Sequence, residues 1–560
     1  MAKKTTQGRR PLLIALFIFI LAAAGIGGWN YFKYRFIRHK VNSLLYKNTN
    51  GLYTVEYDSL SLDEVAGNLL VTNLRLEPDT AKYRTMYDNH EPGPSMLIGA
   101  NIPRLMITGV KTPKALLNKE IEGGRILIDN ADIVLYHARF PDDTALATAK
   151  PPSLQETVLQ LLNKLHSIKA DTLSIQNTSA SYVDFINGAE QAKSASISVH
   201  LYDILIDSSS VADTSRLLFA RRADAGIHDL VVKDKKGYYR YLADSVGFSS
   251  ATHALAIGNF RVAPQLGEDE MMRTNGTQTD RFNLHVGAIV FAGLAVPQLM
   301  NGVIAADTLY LKEGRFLIYR DLSYPRAGKS MLGHYPHQNL MKLPIPYTFK
   351  KVVATDAFIE YKERNGRSDS SGRVQFYHSS VVISHLTNID SLLQKDNTCT
   401  VSFNTRFLDM SSLQSLIVLR LKDSSGRFSV RASLTGFDAQ RINTLLRPMA
   451  LAQADGGRIN GLRFTLDCDN YTSRGKLTLL YNDLKVSVLK KDEKEKKLKE
   501  KKLVSLIANL MVKNDNPGKK DKEPREVDID NKRLMDRSFF NLIWKSVLQG
   551  VKKELGVEKN

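Results

Sequence analysis

The feature that most constrains this chain is a period-two alternation of apolar and polar residues, which recurs along its middle. Residues 53–57 alternate strictly, and Leu60 and Leu62 continue the pattern. Alternation of this kind is typical of strands with one apolar and one polar face. Turn signals such as Asn50-Gly51 and Gly123-Gly124 recur at short spacing. The sequence therefore predicts a mainly β protein.

A motif recurs within this pattern. Residues 168–175 resemble residues 304–311, and weaker echoes begin at Gly124 and Val352. A short turn and a second strand follow each of the two main copies, so we expect β-hairpins whose apolar faces are buried by stacking side by side. A chance likeness between hairpins is the alternative. Each added strand lengthens a sheet by about 4.8 Å. The predicted fold is an elongated, curled antiparallel sheet with an apolar groove.

The N-terminus predicts a membrane helix. Residues 11–28 contain no charged or strongly polar side chain, and at about 1.5 Å per residue they span roughly 27 Å. We predict a cytoplasmic tail over 1–10 and a transmembrane anchor over 11–32, with Trp29 in an interfacial aromatic belt. The main anchoring residues are Leu12, Leu13, Ile14, Leu16, Phe17, Ile18, Phe19, Ile20, Leu21 and Trp29.

Two details bear on this anchor. Four basic residues precede the apolar run and four follow it, so its orientation depends on its being the first helix. Residues 22–24, three alanines, resemble a signal-peptide cleavage site. The apolar run continues past them, which favours an uncleaved anchor. Both interpretations place the rest of the chain across the membrane.

The charge distribution argues against nucleic acid as a partner. The net charge is +19, but residues 1–40 carry +8 and residues 490–560 carry +7, so the long middle is close to neutral. A nucleic-acid-binding body would show a broad basic surface. Only Cys399 and Cys468 are present. Their number excludes a Cys-ligated metal site and favours two buried free thiols over a bridge.

The remaining organisation follows from composition. A β-rich body is predicted over 33–489, with a helix at 152–165 and a weaker one at 439–451. A Lys-rich linker over 490–526 and an amphipathic helix within 527–560 complete the chain. This helix either caps the groove, which we favour, or lies on an anionic membrane. Its apolar face comprises Phe540, Ile543, Trp544, Val547, Leu548, Val551 and Leu555.

Motifs for catalysis are absent from the sequence. It contains no His-Glu-x-x-His, Gly-x-Ser-x-Gly, P-loop or Cys-x-x-Cys pattern. His334 and His337 flank a Tyr-Pro pair, which indicates a surface loop rather than a metal site. The acidic runs at 467–469 and 528–531 lack the Gly and distal Glu of an EF-hand. We therefore predict no catalytic residue, no metal and no cofactor, so the protein is not expected to be an enzyme.

Several segments together resemble the AsmA/TamB-like family of Gram-negative envelope proteins. The opening strands 51–62 and 67–76, the Leu-Pro-Ile-Pro run at 343–346 with the strands that follow it, and the segments 441–448 and 475–486 occur in the family's order. The resemblance implies a single-pass inner-membrane protein whose periplasmic body passes phospholipid along an apolar groove, with no catalytic residues. The alternative function is an assembly factor for outer-membrane proteins, whose partners would be envelope proteins.

Overall fold

The computed structural model describes residues 49–557, except for 50, 64, 92, 112–119, 139–166, 208–209, 211–212, 214, 367–369, 492–497, 501–514 and 520. The predicted anchor over 11–32, the predicted helix at 152–165 and most of the Lys-rich linker lie outside the described residues. Among the residues that are described, no helix combines the length and the apolar character needed to cross a membrane.

The chain is mainly β, as its alternation predicts. It divides into two compact units, Met1–Gly258 and Asn259–Asn560, and β11 spans the division. The strands are β1 Tyr53–Glu56, β2 Ser59–Asp63, β3 Asn68–Pro78, β4 Met96–Thr108, β5 Glu120–Asp129, β6 Asp132–His137, β7 Ser167–Asp184, β8 Glu190–Ile206, β9 Ala220–Lys233, β10 Tyr239–Ser249, β11 Ala254–Pro264, β12 Arg281–Ala292, β13 Ile304–Asp321, β14 Tyr347–Asn365, β15 Ser370–Thr387, β16 Thr398–Phe407, β17 Ser411–Arg420, β18 Phe428–Asp438, β19 Ala452–Cys468, β20 Thr472–Lys491, β21 Leu498–Glu500 and β22 Val527–Lys532.

Short helices connect or cover these strands. The helices are α1 Thr80–Asp88, α2 Glu268–Asn275, α3 Val296–Met300, α4 Pro336–Met341, α5 Asp390–Leu393, α6 Asn443–Ala450 and α7 Phe539–Glu554, and a 3₁₀ turn at Ala439–Ile442 leads into α6. α6 lies where the weaker helix at 439–451 is expected. Within the predicted C-terminal helical range, residues 527–532 form β22 instead of helix, and the helix itself is α7.

In the first unit, β1 and β2 lie end to end along β3, and β5 and β6 lie end to end between β4 and β7. The order continues through β8 and β9 to β10, with antiparallel neighbours. In the second unit the order runs from β12 through β20 to β22. Consecutive strands from β14 to β20 are antiparallel.

The sheet is mixed rather than wholly antiparallel, which corrects the predicted fold. β7 pairs in parallel with β5 and β6, and β14 pairs in parallel with β13. Parallel neighbours need a connection that returns the chain to the starting end of the strand. In the second unit, residues 322–346 make this connection and include α4. The alternation of residues does not reveal strand direction, because it is the same in both arrangements.

The predicted hairpins at the repeated motif are wrong, because each copy is one long strand path with a bend in its middle. A left-handed residue lies where a turn was expected: Asn130 between β5 and β6, Asn177 in β7, Glu313 in β13 and Asp356 in β14, with φ values of 58°, 50°, 55° and 53°. Such a residue bends and twists a strand without reversing it. The four motif copies are the strands of the parallel pairings.

Neighbouring side chains support these bends. The amide nitrogen Nδ2 of Asn177 donates to Oδ1 of Asp129 across the β5–β7 pair, at 3.0 Å. In the second unit, Nδ1 of His378 lies 2.7 Å from Oδ1 of Asp356 across the β14–β15 pair. Short polar side chains that reach a neighbouring strand therefore stabilise the positions where the backbone is left-handed.

Candidate functional site

Apolar side chains form a continuous ladder across the first unit. Directly opposed residues share a face of the sheet, so the register of the pairings defines rows that cross it. One row is Val71, Leu105, Ile128, Ile175, Val199, Ala225 and Phe248, and a second is Leu69, Ile107, Ile126, Leu173, Leu201 and Ala223.

The first-unit ladder is buried at one end and half-exposed at the other. Val71 and Leu105 are fully buried, in a core that α1 covers with the buried ring of Tyr83. Beyond Ile175, which packs against that core, Val199 and Phe248 are only half-buried. A third row comprises Ile197, Ile227 and Val246, and all three side chains are half-buried. Apolar side chains on β8, β9 and β10 thus keep contact with solvent.

The second unit repeats this arrangement over ten strands. Its two rows are Phe291, Leu309, Val352, Ile383, Val401, Ile417, Val430, Leu466, Gly475 and Ile529, and Ile289, Leu311, Ala354, Val381, Phe403, Ser415, Ala432, Phe464, Leu477 and Val527. Ile383, Val401 and Ile417 are half-buried, whereas Leu466 and Ile529 are almost fully buried.

α7 covers the buried end of the second ladder. Gly550 lies on Leu477 and Ile529, so close that a Cβ at this position would stand 2.9 Å from Cδ1 of Leu477. One turn earlier, the hydroxyl of Ser546 hydrogen-bonds that of Ser473 on β20. Two small residues thus bring the helix close to the sheet. Its buried stripe is Phe539, Leu542, Ser546, Gly550 and Glu554.

The predicted apolar face of this helix is a different one from the stripe that packs. Phe540 is 69% exposed and Trp544 is 37% exposed. Ile543, Val547, Leu548 and Val551 are half-buried, and only Leu555 is buried. Periodicity alone favours the larger apolar stripe. The structure uses the smaller one, because Ser546 and Gly550 allow close approach.

The start of α7 is held by a buried polar junction. Arg533 is 5% exposed, and its guanidinium donates to the backbone oxygens of Asn470 at 3.2 Å, Met331 at 2.7 Å and Arg537 at 3.1 Å. Burial lowers the pKa of Arg533. The hydroxyl of Tyr335 donates to the backbone oxygen of Asp469 at 2.8 Å. One side chain therefore ties the β13–β14 connection, the β19–β20 turn and the C-terminal segment together.

His337 lies in the same region and is fully buried, so its prediction as part of a surface loop is wrong. Pro336 begins α4, and the His337 ring packs beside the rings of Tyr335 and Phe428. Neither ring nitrogen has a hydrogen-bond partner among the residues the structure describes. Burial lowers the pKa of His337 to about 4, and Asp423 opposes this shift. The ring is therefore neutral at pH 7.

The other candidate ligands have structural roles. The His334 ring nitrogen Nδ1 lies 3.1 Å from Oδ1 of Asn339. Asp469 accepts hydrogen bonds from the backbone amides of Tyr471 and Thr472 and so closes the β19–β20 turn. Within the described ranges, no group of three or more His, Cys, Asp or Glu could hold a metal ion.

Cys399 and Cys468 are both buried and free, as their number indicates. Burial raises the pKa of each thiol to about 12. The raised pKa leaves both as thiols at neutral pH, which makes them unreactive.

The sequence reveals the amphipathic helix and the buried cysteines but not the half-exposed ladder residues. Alternation marks each of these as apolar, whereas their alignment into rows depends on the pairing register.

Comparison with known proteins adds no relative. No protein-family model matches the chain, and no curated protein matches it either. The likeness to the AsmA/TamB-like family is therefore a resemblance in the order of sequence segments.

Proposed function

We propose that this protein binds phospholipid by its acyl chains along the half-exposed apolar ladders and lets the lipid pass along them. The observation that carries this proposal is the change in burial along each ladder. α1 or α7 covers one part, and apolar residues such as Val199 and Ile417 stay half-exposed. An acyl chain laid on these residues leaves water, at about 0.8 kcal/mol per buried methylene.

The polar neighbours of the ladder suit an amphiphile. Strand residues alternate between faces, so Ser196, Ser198 and His200 lie on the face of β8 opposite Val199. An acyl chain would contact only the apolar face, and the headgroup would remain in water. Binding by apolar contact alone needs no catalytic group, so we propose a passive lipid-handling protein rather than an enzyme.

The location is part of the same proposal. Residues 11–32 would anchor the chain in the bacterial inner membrane and place the body in the periplasm, where it would contribute to envelope homeostasis. A reporter enzyme that is active only in the periplasm, fused after Asn560, should be active. Activity only of a cytoplasmic reporter at that position would contradict the location without affecting lipid binding.

Mass spectrometry of lipids that co-purify with the gently extracted chain tests the proposal. We expect phospholipid above the level of an unrelated anchored control. Ile227→Asp places a charge on the half-exposed ladder and should reduce the bound lipid several-fold. His228→Asp is the matched control, because His228 is the adjacent exposed residue on the other face of β9.

Two outcomes would reject lipid binding along the ladders. One is phospholipid no higher than in the control. The other is equal lipid loss in Ile227→Asp and His228→Asp, which would show that the ladder is not involved. Photocrosslinking from position 227 separates the alternative function: an assembly factor should capture an envelope protein instead of lipid.

A further inference from the structure

The C-terminal part of the second unit presents a set of exposed apolar side chains that neither ladder includes. Tyr471 is 53% exposed and Leu534 is 49% exposed, and the rest of the set is similarly open. Phe540 and Trp544 stand one turn apart on α7 and face the same side. We call this set the C-terminal patch: Leu332, Tyr471, Leu534, Met535, Phe540 and Trp544.

The backbone under the patch is fixed. The amide of Met331 donates to the oxygen of Met535 at 2.7 Å, and the amide of Arg533 donates to the oxygen of Tyr471 at 2.8 Å. The buried Arg533 guanidinium also joins these segments, through hydrogen bonds to the backbone oxygens of Asn470 and Met331. The backbone therefore links the three separate stretches of chain that carry these exposed apolar side chains. Exposed apolar groups gathered in this way mark an interaction surface.

The charge around the patch favours an anionic partner. Residues 532–557 contain six Lys or Arg and two Asp or Glu, and Lys532, Lys545 and Lys552 are exposed. Asp536, which interrupts the patch, is paired with Arg326 at 3.2 Å. Lys545 is exposed beside Trp544. Apolar side chains with Trp among them, fringed by basic residues, suit the interface of a bilayer that carries anionic lipid.

We propose that the C-terminal patch docks on the surface of a bilayer that contains anionic phospholipid. Phe540, Trp544 and Leu534 enter the headgroup region, while exposed lysines such as Lys545 contact lipid phosphates. This surface is separate from the ladders, so the proposal does not depend on lipid binding within them. The sequence indicates only that the C-terminal helix could lie on a membrane. The proposed membrane contact also includes the β19–β20 turn and the β13–β14 connection.

Tryptophan fluorescence tests this docking directly. The chain has two tryptophans, Trp29 and Trp544, so Trp29→Phe leaves Trp544 as the sole reporter. The full-length variant is reconstituted in donor vesicles without quencher. Acceptor vesicles are then added that contain brominated phosphatidylcholine, with or without phosphatidylglycerol. We expect at least a two-fold loss of Trp544 emission with the anionic acceptors, a much smaller loss with the neutral ones, and co-flotation of donor with anionic acceptor vesicles.

Paired variants identify the surface. Leu534→Asp combined with Met535→Asp should abolish both the quenching and the co-flotation. Leu416→Asp, at an exposed residue on β17 outside the patch, should leave both unchanged. All three positions are exposed, so the variants should fold. Protection of Cys399 and Cys468 from thiol reagents checks that the variants are folded.

Four results would overturn the proposal. The first is no quenching by anionic acceptors. The second is quenching that survives the double Asp variant. The third is a shift of Trp544 emission that depends on protein concentration without vesicles, which would show that a second copy of the chain occupies the patch. Quenching without co-flotation would also count against docking, since it indicates transfer of single lipid molecules.

Discussion

The guanidinium carbon of Arg533 lies over the Tyr335 ring, 4.1 Å from its centroid, in the buried junction at the start of α7. A buried Arg with carbonyl acceptors and an aromatic face is held by several interactions at once. Its removal leaves the oxygens of Asn470, Met331 and Arg537 without this donor. The attachment of α7 to the sheet therefore depends strongly on one residue.

We predict that Arg533→Ala weakens the docking of α7 by about 3 kcal/mol, because hydrogen bonds to charged groups contribute about 1.5–3 kcal/mol each and do not add fully. Hydrogen exchange at the α7 amides should become faster by a factor of roughly 100. Arg533→Lys should recover only part of the protection, since Lys lacks the planar fork. Unchanged exchange in Arg533→Ala would show that the junction is not what holds the helix.

The stability of the second unit should fall as the pH decreases from about 6.5 towards 4. His337 titrates near 6.5 in an unfolded chain and at about 4 when folded, so the unfolded state binds the extra proton in this range. Stability rises with pH wherever the unfolded state binds more protons. The contribution is fully present above pH 6.5, and about 3 kcal/mol of it is lost at pH 4 and below. Urea unfolding followed between pH 4 and 8 measures this loss.

A variant isolates the His337 contribution. His337→Phe cannot be protonated and should fit beside Phe428 and Tyr335. Its unfolding midpoint should depend less on pH than that of the unaltered chain between pH 4 and 6.5. An identical pH dependence in both proteins would assign the effect to other groups.

Enlarging Gly550 should lift α7 from the sheet. A Val side chain there would meet Cβ of Leu477 and Cδ1 of Ile529 at 3.0–3.2 Å, and overpacking of this kind costs about 1–3 kcal/mol. We expect faster hydrogen exchange in α7 of Gly550→Val. Lys552→Val is the control, because Lys552 is exposed on the same helix. Equal effects of the two variants would point to the helix propensity of Val rather than to the close contact.

Single cysteines can map the half-exposed part of the second ladder. In a chain with Cys399→Ser and Cys468→Ser, Ile417→Cys should react with an apolar maleimide at least ten-fold faster than Leu466→Cys. Ile417 is half-buried and Leu466 is 1% exposed, although both lie in one row. Added phospholipid should slow the labelling of position 417. Equal labelling rates at both positions would contradict the difference in burial between Ile417 and Leu466.

The bend in β7 requires a residue that tolerates a left-handed backbone. Asn177 has φ 50°, a conformation that is strained for β-branched residues. Asn177→Val should destabilise the first unit by about 1–3 kcal/mol, as measured by urea unfolding. Asn177→Gly should cost less, since Gly adopts this conformation freely and only the hydrogen bond to Asp129 is lost. An equal loss for Gly and Val would mean that the hydrogen bond, which both variants lack, and not the backbone fixes the bend.

The sequence predicted the strands well because alternation is a local property. It did not predict strand direction: the parallel pairing of β13 with β14 depends on how residues 322–346 return across the sheet. The sequence reveals the four motif copies, but it predicts turns where Asn177 and Glu313 bend their strands, because a left-handed residue serves both a turn and a bend. The stripe of α7 that packs on the sheet cannot be predicted for a similar reason, since the contact through Gly550 depends on close approach and not on hydrophobicity.

The order of strands from β14 to β20 has a consequence for how such a chain can change in length. Each of these strands pairs with the one just before it and the one just after it. A hairpin gained or lost between two of them would leave every other pairing intact, and α7 would still pack against β20 and β22. The reach of the second unit can therefore be adjusted in steps of two strands, about 10 Å at a time, by duplication or deletion of a short stretch of gene.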